Sequence, residues 1–214
     1  MGLILLPRKL FKEEMSMKAE NVVCCLLTAG VIAADQAAKA SVKKKIRPGE
    51  KRYLSPKTGR TIEINHVKNY GMAGNVGEES PDMVKKISLG MTAATAAALA
   101  VSGIGESAAE KHGKSAGAKK AKYALRKAGL SLALGGAVSN CIDRFRDGCV
   151  TDYITVHTKE GGTQSDRTSF NIADAGIAAG LGLTLLSCVD SSKAAAAGKK
   201  TRTKKQRRQY RFMP

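Results

Sequence analysis

The stretch Ala128-Gly129-Leu130-Ser131-Leu132-Ala133-Leu134-Gly135-Gly136-Ala137-Val138-Ser139-Asn140-Cys141-Ile142 runs fifteen residues without a charge and then meets Asp143 and Arg144. Its Ala, Leu and Ser content predicts a single helix. The abrupt change at its end places Asn140, Asp143 and Arg144 at i, i+3 and i+4, on one helical face. Working outward, the pattern recurs. Charge-poor stretches also occupy 22–34, 87–105 and 175–189, separated by charged segments at 39–86, 106–127 and 143–167. Asp35 and Lys39, four apart, close the first stretch, and Asn171 and Asp174, three apart, lead into the last.

A membrane span needs about 20 mostly apolar residues, which 87–105 approaches unaided and the others reach only with their polar end turns. On hydropathy alone, four buried helices of a soluble bundle would serve equally. The placement of the ionisable residues favours a membrane. If the four stretches cross alternately, Asp35, Lys39, Asp143, Arg144 and Asp174 gather at one membrane boundary, where such groups are costly and mark function. Small residues on the same helices (Gly135, Gly136, Ser139, Gly176, Gly180) permit close helix contact. The expected fold is a mainly α membrane protein with four transmembrane helices near 21–40, 87–105, 123–143 and 170–190, in one embedded domain over 1–192.

Within the first long connection, residues 61–67 (T-I-E-I-N-H-V) alternate apolar and polar, 57–60 offers a turn, and 51–54 offers a partner strand. A small extracytoplasmic antiparallel β-sheet is therefore expected over 45–75. The N-terminal segment, the 106–127 connection and the basic segment 193–214 would share one side. By the positive-inside rule that side is the cytoplasm, which makes 193–214 a cytoplasmic tail and puts both termini inside. The basic 43–86 connection would lie outside, and it weighs less because it is long. No cleavable signal peptide or lipid-modified cysteine is expected at the N-terminus.

The 36 Lys+Arg against 18 Asp+Glu, a net charge of +18, raise the rival reading of a nucleic-acid-binding protein. No nucleic-acid fold signature accompanies the basic tail, and the charges read better as topology. With 43% hydrophobic residues the chain is too apolar to be wholly disordered. Five cysteines without a C-x-x-C pair argue against a disulfide framework or a zinc ribbon. His66, His112 and His157 lack metal-ligand spacing, and Cys141 and Cys149 lack a partner pattern for thiol catalysis. Gly113-Lys114-Ser115 resembles the end of a phosphate loop, but Ala108 stands where its first glycine belongs.

Four motifs, in order, carry a resemblance. They are Asp35-Gln36-Ala37-Ala38-Lys39; Asn69-Tyr70-Gly71; Gly135-Gly136-Ala137-Val138-Ser139-Asn140-Cys141-Ile142-Asp143-Arg144 running into Val150-Thr151-Asp152-Tyr153; and Phe170-Asn171-Ile172-Ala173-Asp174. Together they resemble the lipoprotein signal peptidase (signal peptidase II) family over most of 20–190. The resemblance implies a four-helix bacterial inner-membrane aspartic endopeptidase. It would remove signal peptides from diacylglyceryl-modified prolipoproteins by cutting before the lipidated cysteine. It implies Asp152 and Asp174 as the catalytic pair, with Asn140 and Asn171 on the carboxylates or the substrate backbone. Asp143 and Arg144 would orient Asp152 or grip the peptide, Asp35 and Lys39 would support the site, and Asn69 and Gly71 would approach the substrate. Expected partners are the prolipoprotein and membrane lipid, with no nucleic acid, no metal or other cofactor, and a monomeric state.

Two close carboxylates in a low-dielectric site do not both ionise readily, so one keeps a proton while the other acts as base. The chain departs from the family at Met72-Ala73-Gly74, in its long 106–127 and C-terminal basic segments, and in its few aromatics. A non-catalytic protein of the same fold that binds lipidated peptides is the alternative, and the presence of both aspartates argues against it.

Overall fold

Helix ends are marked by local chemistry. In the computed structural model, which describes residues 8–47, 50–54, 61–109, 116–158 and 166–189, α1 (Arg8–Lys45) finishes on three lysines that complement its C-terminal dipole. After α1 come strands β1 (Lys51–Leu54) and β2 (Thr61–Asn69) and a single 3-10 turn at Ala73–Asn75. Helix α2 (Pro81–Ala109) opens with proline at a position where its missing N–H costs nothing. Then follow α3 (Ala116–Asp147), β3 (Val150–Thr158), β4 (Asp166–Phe170) and α4 (Ile172–Cys188). A reciprocal capping box between Asn171 and Asp174 starts α4.

Two expectations are corrected here. The charged segment 106–127 is helical over 106–109 and 116–127, so α2 and α3 extend through most of it. Alanine and lysine are strong helix formers, and charge by itself does not end a helix. The sheet has four strands rather than two, in the order β1-β2-β3-β4 with every pair antiparallel. Strands β3 and β4 come from the segment read as a charged connection, although V-T-D-Y-I-T-V is rich in the β-branched and aromatic residues that strands favour. The 57–60 turn, His112, Gly113-Lys114-Ser115 and the tail 193–214 lie outside the described residues.

Helix α3 is central and packs against the other three helices. Its approach to α4 is close enough that glycine is required at several contacts. A Cβ on Gly136 would collide with the Ala173 carbonyl oxygen, and one on Gly180 with the backbone of Gly129 and Ala133. This is the small-residue contact expected of membrane helices. Segments Ala19–Lys45 of α1 and Pro81–Ser102 of α2 are long and apolar enough to cross a membrane, while the apolar α4 is shorter at 17 residues. Val22, Leu26, Leu89, Met91 and Leu185 point outward from these helices. An apolar cluster of Val42, Ile46 and Tyr153, flanked by Ala38, Ile64, Ile154 and Ile172, fastens the sheet to the end of α1 and the start of α4.

Candidate active site

The sheet places one carboxylate and α4 the other. Asp152 lies on β3 opposite Val67 of β2, just past an irregularity in the β2–β3 register between Ile64 and Val67. It is buried, whereas Asp174, in the first turn of α4, is half-buried. Asn171 joins them. Its side-chain amide donates to Asp152 Oδ1 at 2.7 Å, its backbone N–H donates to Asp174 Oδ2 at 3.2 Å, and its Oδ1 accepts from Asp174 N–H at 2.9 Å. Each aspartate has a second amide of its own. Asn69 Nδ2 donates to Asp152 Oδ2 at 3.0 Å, and Asn140 Nδ2 donates to Asp174 Oδ1 at 2.8 Å.

Behind Asn140 stands a sealed ionic group. Lys39 Nζ contacts Asp35 Oδ2 at 2.6 Å, Asp143 Oδ2 at 2.9 Å and Asn140 Oδ1 at 2.9 Å. An ammonium has three donors, and these three partners use all of them. The consequence reaches the site: with Oδ1 held by Lys39, Asn140 turns its NH₂ toward Asp174. Asp35 also accepts from Ser139 Oγ at 2.8 Å. Asp143 accepts from Gln36 Nε2 at 2.9 Å and from the Thr151 backbone N–H at 3.3 Å, next to Asp152. The i, i+4 pair Asp35/Lys39 is thus both a structural ion pair and a link to the aspartates.

Asp143 and Arg144 do not act as a pair with each other. Asp143 faces Lys39, and Arg144 Nη2 donates to the Gly71 carbonyl at 2.8 Å. Gly71 N–H in turn donates to Asn69 Oδ1 at 2.9 Å, which orients the Asn69 amide toward Asp152. The structure therefore links all the residues singled out in the sequence — Asp35, Lys39, Asn69, Gly71, Asn140, Asp143, Arg144, Asp152, Asn171 and Asp174 — into one chain of contacts. Sequence reasoning missed Gln36, Thr151 and Tyr153. All three stand inside motifs already recognised, and that position was the available signal.

Burial pushes the Asp152 carboxyl up to about 6; the neighbouring charge of Asp174 adds to the rise, and the Asn69 and Asn171 amides oppose it. Burial likewise pushes the Tyr153 hydroxyl up to about 12, so it stays protonated and able to donate. Arg144 Nε is buried and lacks a hydrogen-bond partner among the described residues. Among the described residues no group of three or more His, Cys, Asp or Glu side chains is arranged to hold a metal ion.

Two solved structures described as bacterial membrane enzymes share the fold. One has a TM-score of 0.56 at 23% identity and covers 77% of this chain and 85% of that one. The other has 0.55 at 22% identity and covers 78% and 93%. The sequence model of the signal peptidase (SPase) II family matches residues 27–189, and the chain belongs to that family. Similar relatives are the lipoprotein signal peptidases of Syntrophotalea carbinolica (44% identical over 62 residues, 29% of this chain and 36% of the relative) and Rhodopseudomonas palustris (39% over 69 residues, 32% and 42%). That of Nitrobacter hamburgensis is 43% identical over 53 residues, 25% of this chain and 32% of the relative. The chain spans about a third to two-fifths of the length of these relatives.

Proposed function

We propose that this protein is an aspartic endopeptidase of the bacterial inner membrane that removes signal peptides from diacylglyceryl-modified prolipoproteins, cutting just before the lipidated cysteine. The observation that carries the reading is the junction at Asn171, which ties Asp152 and Asp174 from different elements into one amide-lined site. Family membership supports the substrate class, since the relatives are lipoprotein signal peptidases.

The chemistry follows from two unlike carboxyls. One is ionised and takes a proton from a water as the water oxygen bonds to the scissile carbonyl carbon. The other is protonated and gives its proton to the carbonyl oxygen, forming a neutral tetrahedral species. As the C–N bond breaks, the carboxyl that accepted the water's proton delivers it to the leaving amine, and the other, now ionised, takes a proton back from one hydroxyl of the tetrahedral carbon as the C=O bond re-forms, which restores both carboxyls. The elevated Asp152 carboxyl suits the proton-holding state, and the pair titrates as a unit. Asn69 and Asn140 steady the carboxylates, and Arg144 holds the Gly71 carbonyl beside the Asn69 amide.

In this reading all four helices cross the membrane, α3 and α4 by including their polar end turns. The sheet and the aspartates face the extracytoplasmic side, both termini are cytoplasmic, and the enzyme works as a monomer in contact with lipid. The lipidated cysteine enters from the bilayer. The test is cleavage of a lipidated precursor by the purified protein in detergent, with and without globomycin, the family's inhibitor. Asp152→Asn and Asp174→Asn should each lower turnover by about a thousandfold or more while inserting normally. Turnover near the wild-type rate in either variant would refute the assignment.

A further inference from the structure

We infer that the Tyr153 hydroxyl is a positioning group for this reaction: it holds the first amide of α4 and so sets where that helix presents Asp174 to Asp152. The inference rests on the aspartic reading above and adds a residue to it.

The first N–H groups of a helix have no partner within it. In α4 three successive ones are taken by three different groups. Ile172 N–H donates to Tyr153 Oη at 3.0 Å, Ala173 N–H to Asp35 Oδ1 at 3.1 Å, and Asp174 N–H to Asn171 Oδ1 at 2.9 Å. Only the last is a local cap. The other two come from β3 and α1, and they are coupled, because Tyr153 Oη also lies 3.4 Å from Asp35 Oδ1, to which it donates. Asp35 cannot slide across to replace the hydroxyl, since Lys39 and Ser139 pin its other oxygen.

Tyr153 follows Asp152 on β3, and consecutive strand residues point to opposite faces. That strand therefore reaches the start of α4 twice: Asp152 through the Asn171 side chain, and Tyr153 through the Ile172 backbone. The ring is buried against Val42 and Ile46, so a phenylalanine would fill the same place and lack only the oxygen. Asp174 is the third residue of the helix whose first amide the hydroxyl holds. Small displacements of a reacting group cost rate steeply.

The experiment uses the full-length protein in detergent, with turnover of a lipidated precursor expressed per folded enzyme. Tyr153→Phe should lower kcat about tenfold and leave KM within about twofold, because a mispositioned carboxylate affects the chemical step more than binding. Ile172→Pro supplies the decisive background. Proline is accepted at the first helical position, the preceding Asn171 is already extended (φ −132°, ψ 179°), and the ring replaces the N–H that the hydroxyl serves with a Cδ that displaces the hydroxyl from its place 3.0 Å from the nitrogen. In that background Tyr153→Phe should cost less than about twofold. Full kcat in Tyr153→Phe, or the same tenfold loss in both backgrounds, overturns the inference.

Amide exchange gives a reading independent of how Ile172→Pro folds. Tyr153→Phe should speed exchange at residues 172–174 while leaving the middle of α4 protected, and unchanged exchange there also overturns the proposal. Asp174→Asn serves as the inactive reference. If it turns over normally, the aspartic reading fails, and the exchange data still decide whether Tyr153 holds the helix.

Discussion

Near its C-terminal end α3 carries Asn140 and Asp143 into a sealed group with Asp35 and Lys39, whereas near its N-terminal end Lys127 and Lys120 meet Glu20 of α1 at 3.4 and 3.7 Å. In the first region the Asp35, Lys39 and Asp143 side chains are at most 1% exposed, and the closest contact is 2.6 Å. In the second, Glu20 keeps 23% and Lys120 48% of the side chain exposed. Burying ions costs several kcal/mol each, so a sealed triad is a poor way to gain stability. Its use is orientation: Lys39 fixes which end of Asn140 meets Asp174. The Lys120–Glu20 pair sits where exposed charges interact only weakly, while Lys127 is itself buried and meets the same Glu20.

The contrast can be broken by experiment. The largest effect should come from Lys39→Met, which leaves buried Asp35 without a cation and Asp143 with only the half-exposed Arg146 at 3.3 Å; thermal unfolding in detergent should show a loss of about 3–5 kcal/mol. A loss below about 1 kcal/mol would erase the distinction between the two ends.

Next comes pH. Because the Asp152 carboxyl is pushed up to about 6, the folded protein binds that proton more tightly than the unfolded chain. Its contribution is therefore fully present below the ordinary carboxylate range and is lost as pH rises through about 6. Asp152→Asn should be more stable than wild type at alkaline pH by roughly 2–3 kcal/mol, with the advantage gone in acid. A pH-independent difference between the two proteins would contradict this.

Gly180→Ala should cost about 1–3 kcal/mol, since its methyl meets backbone rather than a movable side chain. Neutral stability would mean that α3 and α4 can separate freely. The smallest effect belongs to Lys120→Met, at about 0–1 kcal/mol on the same scale. A loss rivalling that of Lys39→Met would show that both ends hold charge alike.

Much of the helical scaffold was legible because apolar stretches and small-residue faces are local patterns. So were the residues of the site, because Asn140/Asp143/Arg144 and Asn171/Asp174 follow helical spacing and lie in recognisable motifs. The missing half of the sheet was hidden by weighing charge over 143–167 ahead of the β-branched run at Val150–Thr158. The divergence of Asp143 from Arg144 was also hidden. Adjacent residues on a helix point about 100° apart, and only the neighbours of α3 decide that one meets Lys39 and the other Gly71.

The amino-acid sequence by itself determined where the apolar helices run and which acids, amides and bases stand at their ends, because hydrophobicity and periodicity belong to contiguous residues. The tertiary structure alone decided that Lys39 saturates its three donors on Asp35, Asp143 and Asn140, and that Tyr153 and Asp35 complete the first turn of α4. Those contacts join residues up to 138 positions apart, and a hydrogen bond forms only where packing brings donor and acceptor to about 3 Å.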